Sequence, residues 1–261
     1  MFAPINGCQL WFDDRGTGDP LMLVHGFMGI GANWQHVFPT DPPGFRVIAP
    51  DLRGHGRSTN PSNVFTFRQA ALDLLALLDH LELATIKAVG LSGGGIALLH
   101  MSTLQPSRVR SMVLVSAPPY FPPEAKAIQR RYSEAMMPGN QRAAIRAFHA
   151  GGERQFQALI EQTRAMAAND EDVMFTPALL QTITADTLIV FGDRENLGNE
   201  PMYPVSLAFE LRAGIPHSFL WVVPNGGHGP IFGPQAAAFA STATAFLRGE
   251  WRSPDDRRTR G

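Results

Sequence analysis

The chain has 261 residues, with 22 Lys+Arg against 23 Asp+Glu, a formal net charge of −1 and a pI near 6.7. That balance supplies no attraction for nucleic acid or for an anionic membrane surface. Hydrophobic residues at 44% and charged residues at 17% describe a globular protein rather than a disordered one.

The first residues, MFAPINGCQLWFDD, contain neither a basic segment nor an apolar one. No signal peptide is expected from them, and no run is long and apolar enough for a membrane span. A cytoplasmic protein is the expectation. Cys8 is the only cysteine, so there is no disulfide framework, and no Cys/His cluster has zinc spacing. It falls in a strand-like run at 8–13, where a small buried filler is the expected role.

Further short apolar runs follow at 21–25, 46–49, 86–91, 109–116, 187–191 and 218–223. Bounded by Gly and Pro, they read as strands covered on both faces. Helical patterns separate them. Residues 66–81 open with Thr66-x-x-Gln69, a capping-box start, and carry the stripe Ala70, Leu74, Leu77, Leu78 and Leu81. Residues 93–104 read as a helix directly after a strand. Residues 204–212 and 234–247 open near prolines. The alternation predicts an α/β fold with a mostly parallel sheet between helices.

The alternation stops at 118–185. This stretch begins among Pro118, Pro119, Pro122 and Pro123 and reads as helical at 124–137, 141–150, 153–168 and near Pro177. It is expected to be a small helical cap inserted into a core formed by 1–117 and 186–250. Residues 251–261 read as a polar tail.

Ser92 stands in Gly90-Leu91-Ser92-Gly93-Gly94, between a predicted strand and a predicted helix. A serine on such a turn exposes its hydroxyl at the C-terminal edge of the sheet. The five-residue string is weak by itself; its force comes from the strand before it and the helix after it. The amide of Gly93 lies at a helix N-terminus, where an oxyanion is favoured. His25-Gly26-Phe27-Met28-Gly29 follows another strand, and the Phe27 amide is the natural second donor. His25 itself is expected to pack. His228, in Asn225-Gly226-Gly227-His228-Gly229-Pro230 after the last strand, is the best candidate base among the eight histidines. An acid near the end of the strand at 187–191 would orient it, and Asp193 and Glu195 both qualify. The order Ser…Asp/Glu…His differs from that of chymotrypsin or subtilisin folds.

These pieces, with Pro50-Asp-Leu-Arg-Gly-His-Gly-Arg-Ser58, resemble the α/β-hydrolase superfamily over nearly the whole chain. The likeness is greatest to its small serine esterases, lactonases and cofactor-free haloperoxidase-like members. The resemblance implies an α/β-hydrolase fold, no cofactor and no metal. It places the acid at Glu195, where aspartate is commoner, with Asp193 as the fallback. It makes the 51–58 stretch a structural turn. Serine at position 92 argues against haloalkane dehalogenases and epoxide hydrolases, which use aspartate there. The expected function is hydrolysis of small to medium carboxylic esters by a monomer or homodimer. Lactones, C–C bonds or peracids are alternative targets, and a ligand receptor with a slow or vestigial triad is a reading of another class. The expected substrate pocket combines Tyr120, Phe121, Met136, Met137 and Phe148 from the cap with Phe27, Trp34 and Phe232 from the core.

Overall fold

Residues two apart along each strand face the same layer, and this period builds the core. In β3, Met22 and Val24 enter one apolar cluster while Leu21 and Leu23 enter the other. In β6, Met112 and Leu114 divide from Val113 and Val115 in the same way. Both faces are therefore covered, as continuous apolar strands require.

The computed structural model describes residues 1–137, 139–197 and 200–251. The expected tail lies outside the described residues beyond Trp251. The strands are β1 (Phe2–Ile5), β2 (Cys8–Gly16), β3 (Asp19–Val24), β4 (Phe45–Pro50), β5 (Ile86–Leu91), β6 (Val109–Val115), β7 (Asp186–Gly192), β8 (Glu195–Leu197), β9 (Glu200–Tyr203) and β10 (Ser218–Val223). Eight of them form one sheet in the order β1-β2-β4-β3-β5-β6-β7-β10. The β1–β2 and β2–β4 pairs are antiparallel, and every other pair in this sheet is parallel. The chain thus has an α/β fold with a mostly parallel sheet. β8 and β9 form a separate antiparallel hairpin. Neither β1 nor this hairpin was expected, because strands of three or four residues are too short to show a period.

The helices are α1 (Phe67–His80), α2 (Gly93–Leu104), α3 (Pro123–Arg130), α4 (Gly139–Phe148), α5 (Gly152–Met166), α6 (Pro177–Leu180), α7 (Ser206–Gly214) and α8 (Ala236–Leu247). Residues of α1, α2 and α7 fill one face of the sheet, and those of α8 the other. The α2 helix is apolar all round and buried almost throughout, as a central helix should be. At α1, Thr66 Oγ1 accepts from Gln69 N–H at 3.0 Å. The Asp172 carboxylate accepts from the amides of Phe67 (2.7 Å) and Arg68 (3.0 Å). Two capping groups thus serve one helix end.

Between β6 and β7 the chain makes α3 to α6 and, among the described residues, no strand beyond a single Tyr120–Met174 bridge. α3 ends at Arg130 rather than near 137, because Ser133 is extended. Several bonds tie this segment to the turn at 54–56. Gly56 N–H donates to His149 Nδ1 (2.9 Å), Ala150 N–H to Gly56 O (2.9 Å) and Gln155 Nε2 to Gly54 O (2.8 Å). Behind them His25, His55 and His149 lie buried in a row, with ring centroids 5.2 and 6.1 Å apart.

Burial lowers the pKa of all three imidazoles, taking His149 to about 4 and His55 well below its ordinary value. Between about pH 6.5 and 4 the unfolded chain therefore binds more protons than the folded one, and stability rises with pH across that window. The melting temperature should be highest above about pH 6.5 and fall as the pH drops towards 4. His149→Asn keeps an acceptor for Gly56 and should flatten part of that slope; an unchanged slope would remove His149 from the account.

Candidate active site

Ser92 joins the last residue of β5 to the first of α2 with φ 49° and ψ −115°. A left-handed φ at a residue other than glycine costs about 1–3 kcal/mol. Two backbone bonds hold it there: Ser92 N–H donates to Val115 O at 2.7 Å, and Ile96 N–H to Ser92 O at 3.0 Å. Glycine is needed where α2 meets the sheet. A Cβ on Gly94 would sit 2.3 Å from Val24 O, and one on Gly90 would sit 2.7 Å from the carbonyl carbon of Gly94.

The structure brings Ser92, His228 and Glu195 together. His228 Nε2 is 3.0 Å from Ser92 Oγ, and His228 Nδ1 is 2.9 Å from Glu195 Oε2. An ionised Glu195 fixes the tautomer with the proton on Nδ1, leaving Nε2 to accept from the serine. Glu195 opens β8 and is buried. Its Oε1 accepts from Ser116 Oγ–H (2.6 Å) and Gly192 N–H (2.8 Å). Asp193 is exposed and makes a backbone bond to Val223 O (3.2 Å). Local geometry explains this choice of acid. Gly192 is pressed against Gly226, and Arg194 N–H donates to Gly226 O at 2.9 Å. The 193–194 turn is thereby pinned to the His228 loop, and the side chain at 195 reaches back to Gly192.

Ser116 was not among the expected residues. It follows β6 with φ 49°, donates to Glu195 and accepts from Gly229 N–H at 3.1 Å. One hydroxyl therefore links the acid to the loop of the histidine. Its only trace in the sequence is a polar residue at the end of an apolar strand.

Two amides adjoin Ser92. Gly93 N is the first of α2 and has no helical acceptor. The Phe27 amide is close to it, since a Cβ on Gly93 would lie 3.2 Å from Phe27 N. Neither amide donates to another group among the described residues. The turn carrying Phe27 is braced by His25, whose Nδ1 donates to Gly26 O (2.8 Å) and whose Nε2 accepts from Leu52 N–H (2.9 Å). Asp51 braces the next turn by accepting from the amides of Gly31 and Arg57.

A cavity of about 130 Å³ opens on Ser92 and His228. Of the expected pocket residues, Phe27 and Phe121 line it. Met137 lies behind the wall, packed with Met28, Phe156 and Leu159. Trp34 does not line the cavity; the 3-10 turn Gly31–His36 places it in the core on the α8 side of the sheet, beside Phe38. Tyr120 bonds Glu210 and lines a separate outer cavity. Met136 and Phe148, between β6 and β7, do not border the cavity, and Phe232 is 37% exposed beside Gly229.

Other residues form the remaining walls. Ile128 and Gln129 come from α3, Tyr132 from just beyond its end, and Thr163 and Met166 from α5. Leu197, Met202 and Tyr203 come from the hairpin, and Met28 and Phe67 from the core. Tyr203 stacks on Phe121 and sets its ring edge-on to His228 at 5.5 Å. Burial raises the pKa of both phenols, that of Tyr132 to about 12. Both therefore stay neutral at ordinary pH. The dipeptide Gly198-Asn199 is a hairpin signal that would have pointed to the hairpin walls.

Residues 19–168, more than half of the chain, match the family model for the alpha/beta hydrolase fold. A dihydrolipoyllysine-residue acetyltransferase component of the acetoin cleaving system of Pseudomonas putida is 40% identical over 117 residues, or 44% of this chain and 32% of that protein. The chain thus spans about a third of the length of the first curated relatives it matches. A 2-hydroxy-6-oxo-2,4-heptadienoate hydrolase of Pseudomonas putida is 29% identical over 259 residues, covering 85% of this chain and 87% of that one. A meta-cleavage product hydrolase of Pseudomonas fluorescens superposes with a TM-score of 0.79 at 20% identity, over 96% of this chain and 98% of that one. That last likeness is one of fold. The family match spans the nucleophile turn and the glycine-containing turns at 25–29 and 54–56, and the chain belongs to the alpha/beta hydrolase fold family.

Proposed function

We propose that the protein is a serine hydrolase of carboxylic esters with small to medium acyl chains, working through an acyl-enzyme on Ser92. One observation carries the reading: the continuous relay Ser92–His228–Glu195 stands beside two unpaired amides at the mouth of an apolar cavity. His228 takes the Ser92 proton as Oγ attacks the ester carbonyl, and Glu195 stabilises the imidazolium. The amides of Phe27 and Gly93 hold the charge that develops on the carbonyl oxygen. His228 then protonates the leaving alcohol, and water, activated in the same way, releases the acid. The helical segment 118–185 is the lid, and its residues close the cavity over the serine. Every step uses side chains and amides of the chain itself.

C–C bond hydrolysis is the second reading. It is favoured by the 29% identity, over most of the chain, to a protein named for a 2-hydroxy-6-oxo dienoate. Such a substrate carries a carboxylate, and among the described residues no Lys or Arg lines the cavity. A buried carboxylate without a cation is strongly disfavoured, so a neutral ester fits the walls better.

A series of p-nitrophenyl esters of rising acyl length tests the ester reading. Multiple turnover with an optimum at short to medium chains is expected. Slow single-turnover labelling of Ser92 would support the receptor reading instead. Turnover of a 2-hydroxy-6-oxo dienoate in place of esters would establish the second reading.

Ser92→Ala should remove ester turnover by about 10⁴-fold or more with folding intact. Glu195→Gln should lower kcat by about 10³- to 10⁴-fold, because the imidazole loses its tautomer. Asp193→Asn should stay near wild type. Ser116→Ala removes one donor from Glu195 and one acceptor from Gly229. Its kcat should fall by roughly ten-fold, with KM little changed.

A further inference from the structure

Apart from the reacting groups, the polar side chains of the cavity are Gln129, Tyr132, Thr163 and Tyr203, and two of them are hydrogen-bonded. Thr163 Oγ1 donates back to Leu159 O at 2.9 Å, and the Tyr132 hydroxyl points at Met28 Sδ at 3.4 Å. Gln129 differs. It is 4% exposed, it lines the cavity that holds Ser92 and His228, and its Oε1 is buried without a hydrogen-bond partner. Among the described residues it is the only cavity-lining side chain with a buried polar atom in that state.

A buried amide carbonyl with no partner costs as much as a lost hydrogen bond. Leu or Met would fill the same volume among these apolar walls at no such cost. Gln129 lies in the last turn of α3, which packs against α5 and β9, so the amide is held on a fixed helix. Gln129 lines the cavity, so a molecule bound there can supply the missing partner once the amide turns towards it. That molecule must be neutral, because among the described residues no Asp or Glu lines the cavity to balance a cation.

We propose that Gln129 is a specificity-determining residue whose side-chain carbonyl accepts a hydrogen bond from the substrate. The preferred esters then carry a hydroxyl or amide N–H on the chain that occupies the cavity, and plain alkyl esters are poorer substrates. This rests on the ester reading and narrows its substrate class. A site built to bond a hydroxyl rejects the analogue that lacks it, because its own polar group is left unpaired.

The test is a panel of short p-nitrophenyl esters with a hydroxyl at each acyl position in turn, plus glycol monoesters of short acids. Each is compared with its unsubstituted and methyl-ether analogues. At least one hydroxyl compound should exceed both analogues in kcat/KM by roughly ten-fold or more in the wild type. The methyl ether matters because it can accept a hydrogen bond but not donate one. In Gln129→Met the same ratio should fall to near one. Calorimetric binding of these compounds to Ser92→Ala reads the ratio without turnover, so it stands even if hydrolysis fails. Hydrolysis of any ester in the panel bears on the ester reading; only the ratio bears on Gln129. Equal values for hydroxyl and methyl-ether compounds in both measurements, or a preference that survives in Gln129→Met, would overturn the proposal.

Discussion

The contact between the start of α2 and the ends of β3 and β5 is the constraint on which the rest of the site depends. Gly94 approaches Val24 so closely that no side chain fits there, and Gly90 meets the following turn in the same way. This closeness lets Ser92 occupy a left-handed backbone and leaves the Gly93 amide at a helix N-terminus beside it. The strain at Ser92 is offset by its bonds to Val115 and Ile96 and by the burial of an almost wholly apolar helix. A looser approach would let the serine relax and would carry the amide away from it. Nucleophile and oxyanion donor are thus two consequences of one packing contact.

The opposite side of the site is assembled from the ends of strands β6, β7 and β10. β6 and β7 lie side by side, so Ser116 and Gly192 arrive together and both donate to Glu195. β10 pairs with β7 in register, and the loop after it presses Gly226 against Gly192. His228 is set by the same contacts that set the acid. Ser116 closes the arrangement by joining Glu195 to Gly229. The left-handed backbone that follows β5 at Ser92 recurs after β6 at Ser116, and each residue presents its hydroxyl to the His228–Glu195 pair.

Above this base, the segment between β6 and β7 and the small hairpin supply most of the cavity walls. Asp172 binds the start of α1, and His149 and Gln155 bind the turn at 54–56. The segment is therefore fastened to the core near its middle and again towards its C-terminal side. Its cavity face is apolar except for Gln129 and the hydroxyl-bearing Tyr132 and Thr163, whose hydroxyls are engaged. Under the proposed mechanism the base carries the reaction common to such sites, while the lid and hairpin choose the substrate.

The parts legible in the sequence are those set by local chemistry. The short apolar strands, the glycines around Ser92 and the capping signal before α1 each state a backbone requirement that any fold must meet. Their order along the chain was enough to propose Ser92, His228 and an acid just after β7. The residues by themselves left Asp193 and Glu195 open, and the family resemblance alone favoured Glu195, because the choice depends on how the 193–194 turn docks against Gly226, a contact between residues more than thirty positions apart. Sequence reasoning placed Trp34 in the pocket although that residue faces the other layer of the sheet, since an aromatic residue looks the same from either side. It missed Ser116, Gln129 and the hairpin, whose importance comes from neighbours distant in the chain. Composition and period determined the strands, the helices and the serine turn because those obey rules a few residues long. Only the tertiary structure decided which acid meets the histidine and which side chains line the cavity, because those depend on where separate strand ends and the inserted helices come to rest against one another.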